Sequence, residues 1–117
     1  MLATFRLLLL LVGLPIALSV SAQSLDDPRL DPLVLEYIQR NATVPVLIRL
    51  DGRAPEARDT WRQIVRTLGN RYGSSESPPN RQQEVFAELN RFGLLLVLNF
   101  EQVREVYLPF EVTRPGD

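Results

Sequence analysis

The chemistry open to this chain of 117 residues is that of carboxylates, hydroxyls and guanidinium groups, because histidine, cysteine and lysine are absent. Without imidazole there is no base that titrates near neutral pH, and a Ser-His-Asp triad cannot form within the chain. Without thiols there is no cysteine nucleophile, no zinc site of the usual kind and no disulfide. Without lysine there is no Schiff-base amine and no P-loop lysine. These absences exclude most classes of enzyme.

Carboxylates are the remaining candidates for acid–base chemistry or calcium binding. They are scattered through the sequence: Asp26, Asp27, Asp31, Asp51, Glu84, Glu88, Glu101 and Glu105. None follows the alternating spacing of an EF-hand loop, and the two glutamate pairs are interpreted as solvated helix faces. We therefore expect a protein that is not an enzyme and that holds no cofactor or metal. A carboxylate-dependent enzyme is the third hypothesis, and it would need two acids that converge in a pocket.

The first 22 residues have the pattern of a secretory signal peptide. Arg6 provides a basic start, residues 7–18 are apolar, and small residues precede Gln23. We expect a secreted or periplasmic protein, and the absence of disulfides favours a bacterial envelope over an extracellular eukaryotic setting. The apolar run is shorter than the ~20 residues that span a bilayer, so membrane attachment is expected only if the signal stays uncleaved.

Charge gives little indication of a partner. The formal net charge is -1 and no long block of like charge occurs, which argues against nucleic acid. Arg58, Arg62 and Arg66 recur at helical spacing, either as a solvated face or as a surface that attracts acids. The sequence leaves the oligomeric state open.

The first half of the chain beyond the signal gives clear local patterns. Residues 23–43 form an N-terminal segment with a short helix over 32–39, begun by Asp31 and Pro32, which either packs on the domain or acts as a spacer. Alternating β-branched residues predict a strand over 44–50. A long apolar stripe that includes Trp61 predicts a helix over 54–72, and residues 73–80 read as a loop.

The second half is more ambiguous. Within residues 81–92, Val85, Phe86, Leu89 and Phe92 favour a helix, while a strand is the alternative. The apolar run 94–100 predicts a buried strand, residues 101–108 a short helix, and residues 110–113 a last short strand. Phe86, Phe92 and Phe100 are expected in the core.

These elements predict an α+β domain over residues 44–117. Two strands separated by a long helix require a parallel crossover. If the ambiguous segment is a strand, the order becomes βαββαβ, a ferredoxin-like sandwich with both helices on one face of the sheet.

Three segments resemble the propeptide domain of subtilisin-type serine proteases, a family that includes free-standing propeptide-like inhibitors. Residues 44–50 and the helix after them resemble its opening strand and helix, and residues 92–100 resemble its central strand. Residues 102–117 resemble its ending, in which a short helix, a proline, a strand and an acidic residue follow one another.

The resemblance implies a ferredoxin-like domain that binds a subtilisin-like protease without catalytic residues of its own. The sheet would pack on the enzyme, and the C-terminal tail would run substrate-like into its cleft, as an inhibitor or as a folding helper. The protease-binding tail would consist of Val112, Thr113, Arg114, Pro115, Gly116 and Asp117. The alternative is a non-catalytic periplasmic structural or interaction protein without a protease partner, for instance a dimer through an exposed sheet edge.

Overall fold

A computed structural model describes residues 25–111, which form an α+β fold. The expected signal peptide and the expected tail at 112–117 lie outside the described residues. The elements in chain order are α1 (Pro32–Arg40), β1 (Val44–Leu50), α2 (Ala54–Leu68), β2 (Gly73–Ser74), β3 (Glu84–Leu89), α3 (Arg91–Leu98) and β4 (Val103–Tyr107).

The four strands form one sheet in the order β2-β3-β1-β4, with every neighbouring pair antiparallel. β1 and β2 consequently run parallel and are joined by α2, while β3 and β4 run parallel and are joined by α3. Two such units with interleaved strands make a ferredoxin-like arrangement. The predicted fold class, with the ambiguous segment as a strand, is confirmed.

One side of the sheet faces the core. Alternate residues of β1 are buried (Val44, Val46, Ile48 and Leu50), as the period of two in a strand requires. The helices bury their apolar stripes on the same cluster through Ala57, Ile64, Leu94 and Val97. The side chains of β1 that point the other way are only partly covered, so the sheet has one core side and one open side.

The N-terminal segment packs on the domain. The carboxylate of Asp31 accepts the backbone N–H of Leu33 at 3.0 Å and so caps α1, with Pro32 in its first turn as predicted. Val34 and Ile38 are buried in the common core. The helix is therefore part of the folded structure and not a spacer.

Residues just before α1 cover the outer edge of β4. Leu30 forms a parallel bridge with Val106, the N–H of Asp31 donates to the Val106 carbonyl at 2.9 Å, and the Val106 N–H donates to Arg29. The Arg29 guanidinium donates to the carbonyls of Leu98, Phe100 and Val103, which ties this segment to the end of α3.

Asp27 completes that anchor. Its carboxylate accepts hydrogen bonds from the Arg29 side chain at 2.9 and 2.6 Å and from the Arg29 backbone N–H at 2.9 Å. The side-chain hydrogen bonds from Arg29 hold the pKa of Asp27 below its ordinary value, despite partial burial. The pair therefore stays ionised and fixes the guanidinium in place.

The helix interpretation of residues 81–92 is wrong, because the segment contains β3. Val85, Ala87 and Leu89 alternate inward at the period of a strand, and each lies opposite an inward residue of β1. Phe86 and Phe92, which supported the helical spacing, are 48% and 56% exposed and lie outside the core. The expectation that both were core residues is also wrong.

The strand predicted over 94–100 is wrong as well, since α3 spans Arg91–Leu98. The side chain of Asn90 caps the helix by accepting the Gly93 N–H at 2.8 Å. Gly93 allows α3 to lie directly against the Tyr72 carbonyl, because a Cβ there would stand 2.1 Å from that oxygen. Leucine is favourable in a helix, and a short continuous apolar run occurs both in buried strands and in buried helices. The apolar run alone therefore could not distinguish a strand from a helix.

The short helix predicted over 101–108 is instead the strand β4. Its pairing with β1 shifts register between Arg49 and Leu50, so Val103 and Val106 both face inward although they are three residues apart. A bulge of this kind inserts one residue and imitates helical spacing. No strand includes residues 110–111, and 112–113 lie outside the described residues.

Candidate protein-binding face

The open side of the sheet is a surface that no described helix covers. It consists of the outward residues of the three longer strands, which we call the open face: Pro45, Leu47, Arg49, Glu84, Phe86, Glu88, Glu105 and Tyr107. Strand pairing arranges most of them in rows across the sheet. The rows differ in chemistry.

An apolar row crosses the middle of the open face. Leu47 on the central strand lies opposite Phe86 on one side and Tyr107 on the other. Phe86 is 48% exposed, and Leu47 and Tyr107 are half-buried. Three large side chains in one row present an apolar strip to the solvent, of the kind that protein interfaces use as a core.

A charged row runs beside it. Arg49 lies between Glu84, at 3.6 Å, and Glu105, at 3.2 Å, and its guanidinium carbon is 5.6 Å from the centre of the Tyr107 ring. Opposite charges in neighbouring strands fix one another in position. Since Glu84, Glu88 and Glu105 are on strands, their interpretation as helix-face residues is wrong.

The exposed side of Phe86 borders a shallow groove of about 220 Å³. The groove is lined by Phe86, Ser74, Ser77 and the carboxylates of Glu76 and Glu88. Glu88 accepts a hydrogen bond from the Thr43 hydroxyl at 3.1 Å. With an aromatic ring and two carboxylates, the groove can accept a cationic or apolar side chain.

A buried serine holds this part of the sheet in place. Ser75 accepts the indole N–H of Trp61 at 2.9 Å and donates to the Phe86 carbonyl at 2.6 Å. Trp61 packs on the core, as expected from its place in the apolar stripe. The loop between β2 and β3 thus fixes the backbone that carries Phe86.

The edges of the sheet offer little to a partner strand. The edge of β4 is paired with residues 29–31, and the outer edge of β3 is bonded to Ser75 and Asn80 where β2 does not reach it. A dimer through an exposed edge therefore has no extended template among the described residues. The open face is the better candidate for binding.

The sequence-predicted tail residues (Val112, Thr113, Arg114, Pro115, Gly116 and Asp117) lie outside the described residues. The chain reaches them from the end of β4. Leu108 is buried, and the Phe110 ring packs edge-on against Tyr37 of α1 with 6.2 Å between centroids.

The sequence analysis expected the sheet to pack on a partner but did not identify the residues of the open face, because Phe86 was assigned to the core. The signal for it was present in residues 84–89, where Glu-Val-Phe-Ala-Glu-Leu alternates charged or aromatic residues with aliphatic ones. The rows of the open face also depend on which strands are neighbours in the sheet, and a local sequence pattern does not give that order.

Within residues 25–111, no group of three or more acidic side chains could hold a metal ion, and no helix is long and apolar enough to cross a membrane. Comparison with known proteins found no match to a family model, to a curated protein or to a solved structure.

Proposed function

We propose that this protein is a secreted or periplasmic propeptide-like module that binds a subtilisin-like serine protease through the open face, and that inhibits the protease or assists its folding. The observation that carries the proposal is the open face itself. It is an apolar row flanked by fixed charges on the uncovered side of a small sheet. A protein that acts by such docking needs no catalytic group of its own.

The protease is proposed from the resemblance, which now has a different basis. The opening strand and long helix are present as β1 and α2, and the βαββαβ order agrees with the implied fold. Residues 92–100 form mainly a helix and residues 103–107 a strand, so neither segment has the secondary structure for which it resembled the family. Those two segments therefore no longer support the resemblance, and the βαββαβ order of the elements supports it instead.

The position of β4 supports a tail that reaches a protease cleft. β4 ends at Tyr107, so the last described strand ends before the tail residues begin. Seven residues follow Phe110 in the sequence, and when extended they reach about 25 Å. That length allows residues 112–117 to lie substrate-like beyond the edge of the sheet.

The experiment is an inhibition and co-elution assay with the chain from Gln23 onward and several subtilisin-like proteases. Phe86→Ala should weaken binding about tenfold, since an exposed aromatic ring at the centre of an interface carries a large share of its affinity. Phe92→Ala is the matched control, because this phenylalanine is equally exposed on the opposite side of the molecule.

Removal of residues 113–117 separates the two parts of the proposal. If the tail inserts into the cleft, inhibition should fall while co-elution through the open face persists. The proposal is lost if micromolar protein neither slows nor co-elutes with any of the proteases. A weakening by Phe92→Ala equal to that by Phe86→Ala would place the contact elsewhere.

A further inference from the structure

The helix α3 exposes an apolar stripe on the side of the molecule opposite the open face. The helical period places Gly93, Leu94, Val97 and Leu98 in the core. Phe92 and Leu95 occupy outward positions and are also apolar, and beside them lie Leu96 and, two residues beyond the helix end, Phe100, which both pack in part against the core. Phe92 is 56% exposed and the other three are half-buried. A surface helix normally has polar residues there.

The surroundings of this stripe are basic. Residues 59–72 and 90–101 together contain four arginines, Arg62, Arg66, Arg71 and Arg91, and two acidic residues, Glu101 and Asp59, which lies 3.6 Å from Arg62. This bias is local, because the whole chain has a formal net charge of -1. The open face on the other side has three glutamates and one arginine. Arginines thus outnumber acidic residues near α3, whereas glutamates outnumber arginine on the open face.

Aromatic rings connect the stripe to this charge. The Tyr72 ring stacks on Phe92 with 5.1 Å between centroids, and the Arg71 guanidinium carbon lies 5.6 Å from the centre of the Tyr72 ring. Arg91 directly precedes Phe92 and is exposed. Cation and aromatic ring thus stand side by side at the start of α3.

The N-terminal part of the chain joins the domain at the other end of α3. Arg29 bonds the carbonyls of Leu98 and Phe100, so the segment that begins at Leu25 enters the structure beside the end of the stripe. Twenty-four residues precede it, and they include the apolar run 7–18.

We infer that the α3 stripe and its arginines form a peripheral binding surface for an anionic lipid bilayer. The apolar side chains enter the boundary between headgroups and acyl chains, and the arginines contact lipid phosphates. This goes beyond the proposed function, and it differs from the expectation that the chain reaches a membrane only through an uncleaved signal. Since the open face points away, a protein partner and the bilayer can be bound together.

The test is sedimentation with vesicles of phosphatidylcholine and phosphatidylglycerol, compared with vesicles of phosphatidylcholine alone. Every core residue of the described structure lies between Leu30 and Leu108, so the chain from Gln23 to Asp117 keeps the domain and lacks the apolar run. Circular dichroism verifies that each variant is folded. Binding should require phosphatidylglycerol and should fall as salt is raised.

Substitutions on the two sides of the molecule decide the location. Phe92→Ser should weaken binding about tenfold. Arg71→Gln and Arg91→Gln should each weaken it about fivefold. Phe86→Ser, at a similarly exposed ring on the open face, should leave it unchanged.

Several results would overturn the inference. They are an absence of binding to both kinds of vesicle, equal binding to both kinds, and equal loss in Phe86→Ser and Phe92→Ser. If the chain self-associates in sedimentation through Phe92 and binds no vesicles, the stripe is an interface between two copies. Protease binding by Phe92→Ser is measured separately, so failure here does not bear on the proposed function.

Discussion

Arg29 should contribute more to stability than any other arginine in the described structure, because its guanidinium joins three parts of the fold. It donates to three backbone carbonyls and to the Asp27 carboxylate, and its side chain is only 27% exposed. We take about 1 kcal/mol for each carbonyl bond, at the low end for charged donors because the site is partly solvated. Arg29→Gln should then lower the free energy of unfolding by about 3 kcal/mol.

The assay is urea and thermal unfolding followed by circular dichroism. For a domain of this size, a loss of about 3 kcal/mol corresponds to a fall of roughly 15 °C in Tm. Arg29→Lys should recover only part of it, since one ammonium group cannot reach all the acceptors. The control is Arg104→Gln, which breaks an exposed ion pair with Asp51 of 3.6 Å and should cost about 0.5 kcal/mol or less.

Amide hydrogen exchange adds a local measurement. If Arg29 anchors the N-terminal segment, the amides of Asp31 and Val106 should exchange faster in Arg29→Gln, because each donates within the bridge that covers β4. The reasoning is refuted if Arg29→Gln unfolds within a few degrees of the unsubstituted chain, or if Arg104→Gln destabilises it as much.

Three further outcomes follow from the described contacts. Gly93→Ala should cost about 3 kcal/mol or more by thermal unfolding, because the new Cβ would overlap the Tyr72 carbonyl at 2.1 Å. Asp27→Asn should make the free energy of unfolding less sensitive to acid. In the unsubstituted chain the pKa of Asp27 is lowered beside Arg29, so its carboxylate stabilises the fold at pH values above the ordinary pKa of 3.8. This contribution disappears as the pH falls through the lowered pKa. Urea midpoints across that pH range measure it, and an unchanged acid limb would contradict the assignment. Ser75→Ala should cost about 2 kcal/mol and shift tryptophan emission, since it leaves the indole N–H and a β3 carbonyl without their bridge; Ser77→Ala on the same loop is the control and should be neutral.

The sequence predicts the first half of the domain well because its signals are local. Asp31 and Pro32 define the start of α1, and alternation defines β1 at its observed bounds. The long helix was predicted to reach residue 72, but it ends at Leu68, where Gly69 adopts the left-handed conformation with φ 57°.

The second half was predicted with helix and strand exchanged, for reasons that are not local. The bulge in β4 depends on pairing with β1, so the spacing of Val103 and Val106 looked helical in isolation. The fold class was nevertheless correct, because the strand alternative for residues 81–92 supplied the missing β3. The rows of the open face could not be predicted, since they exist only when β1 lies between β3 and β4.

The bridge between Leu30 and Val106 also has a consequence for the time at which the protein can fold. One partner lies before α1 and the other is the penultimate residue of β4, 76 positions later in the sequence. The second edge of the central strand β1 is likewise paired only when β4 is present. During synthesis the sheet therefore cannot be completed until β4 has left the ribosome. The strands made earlier stay without their last partner until that moment, although every other contact of β1 is available before it.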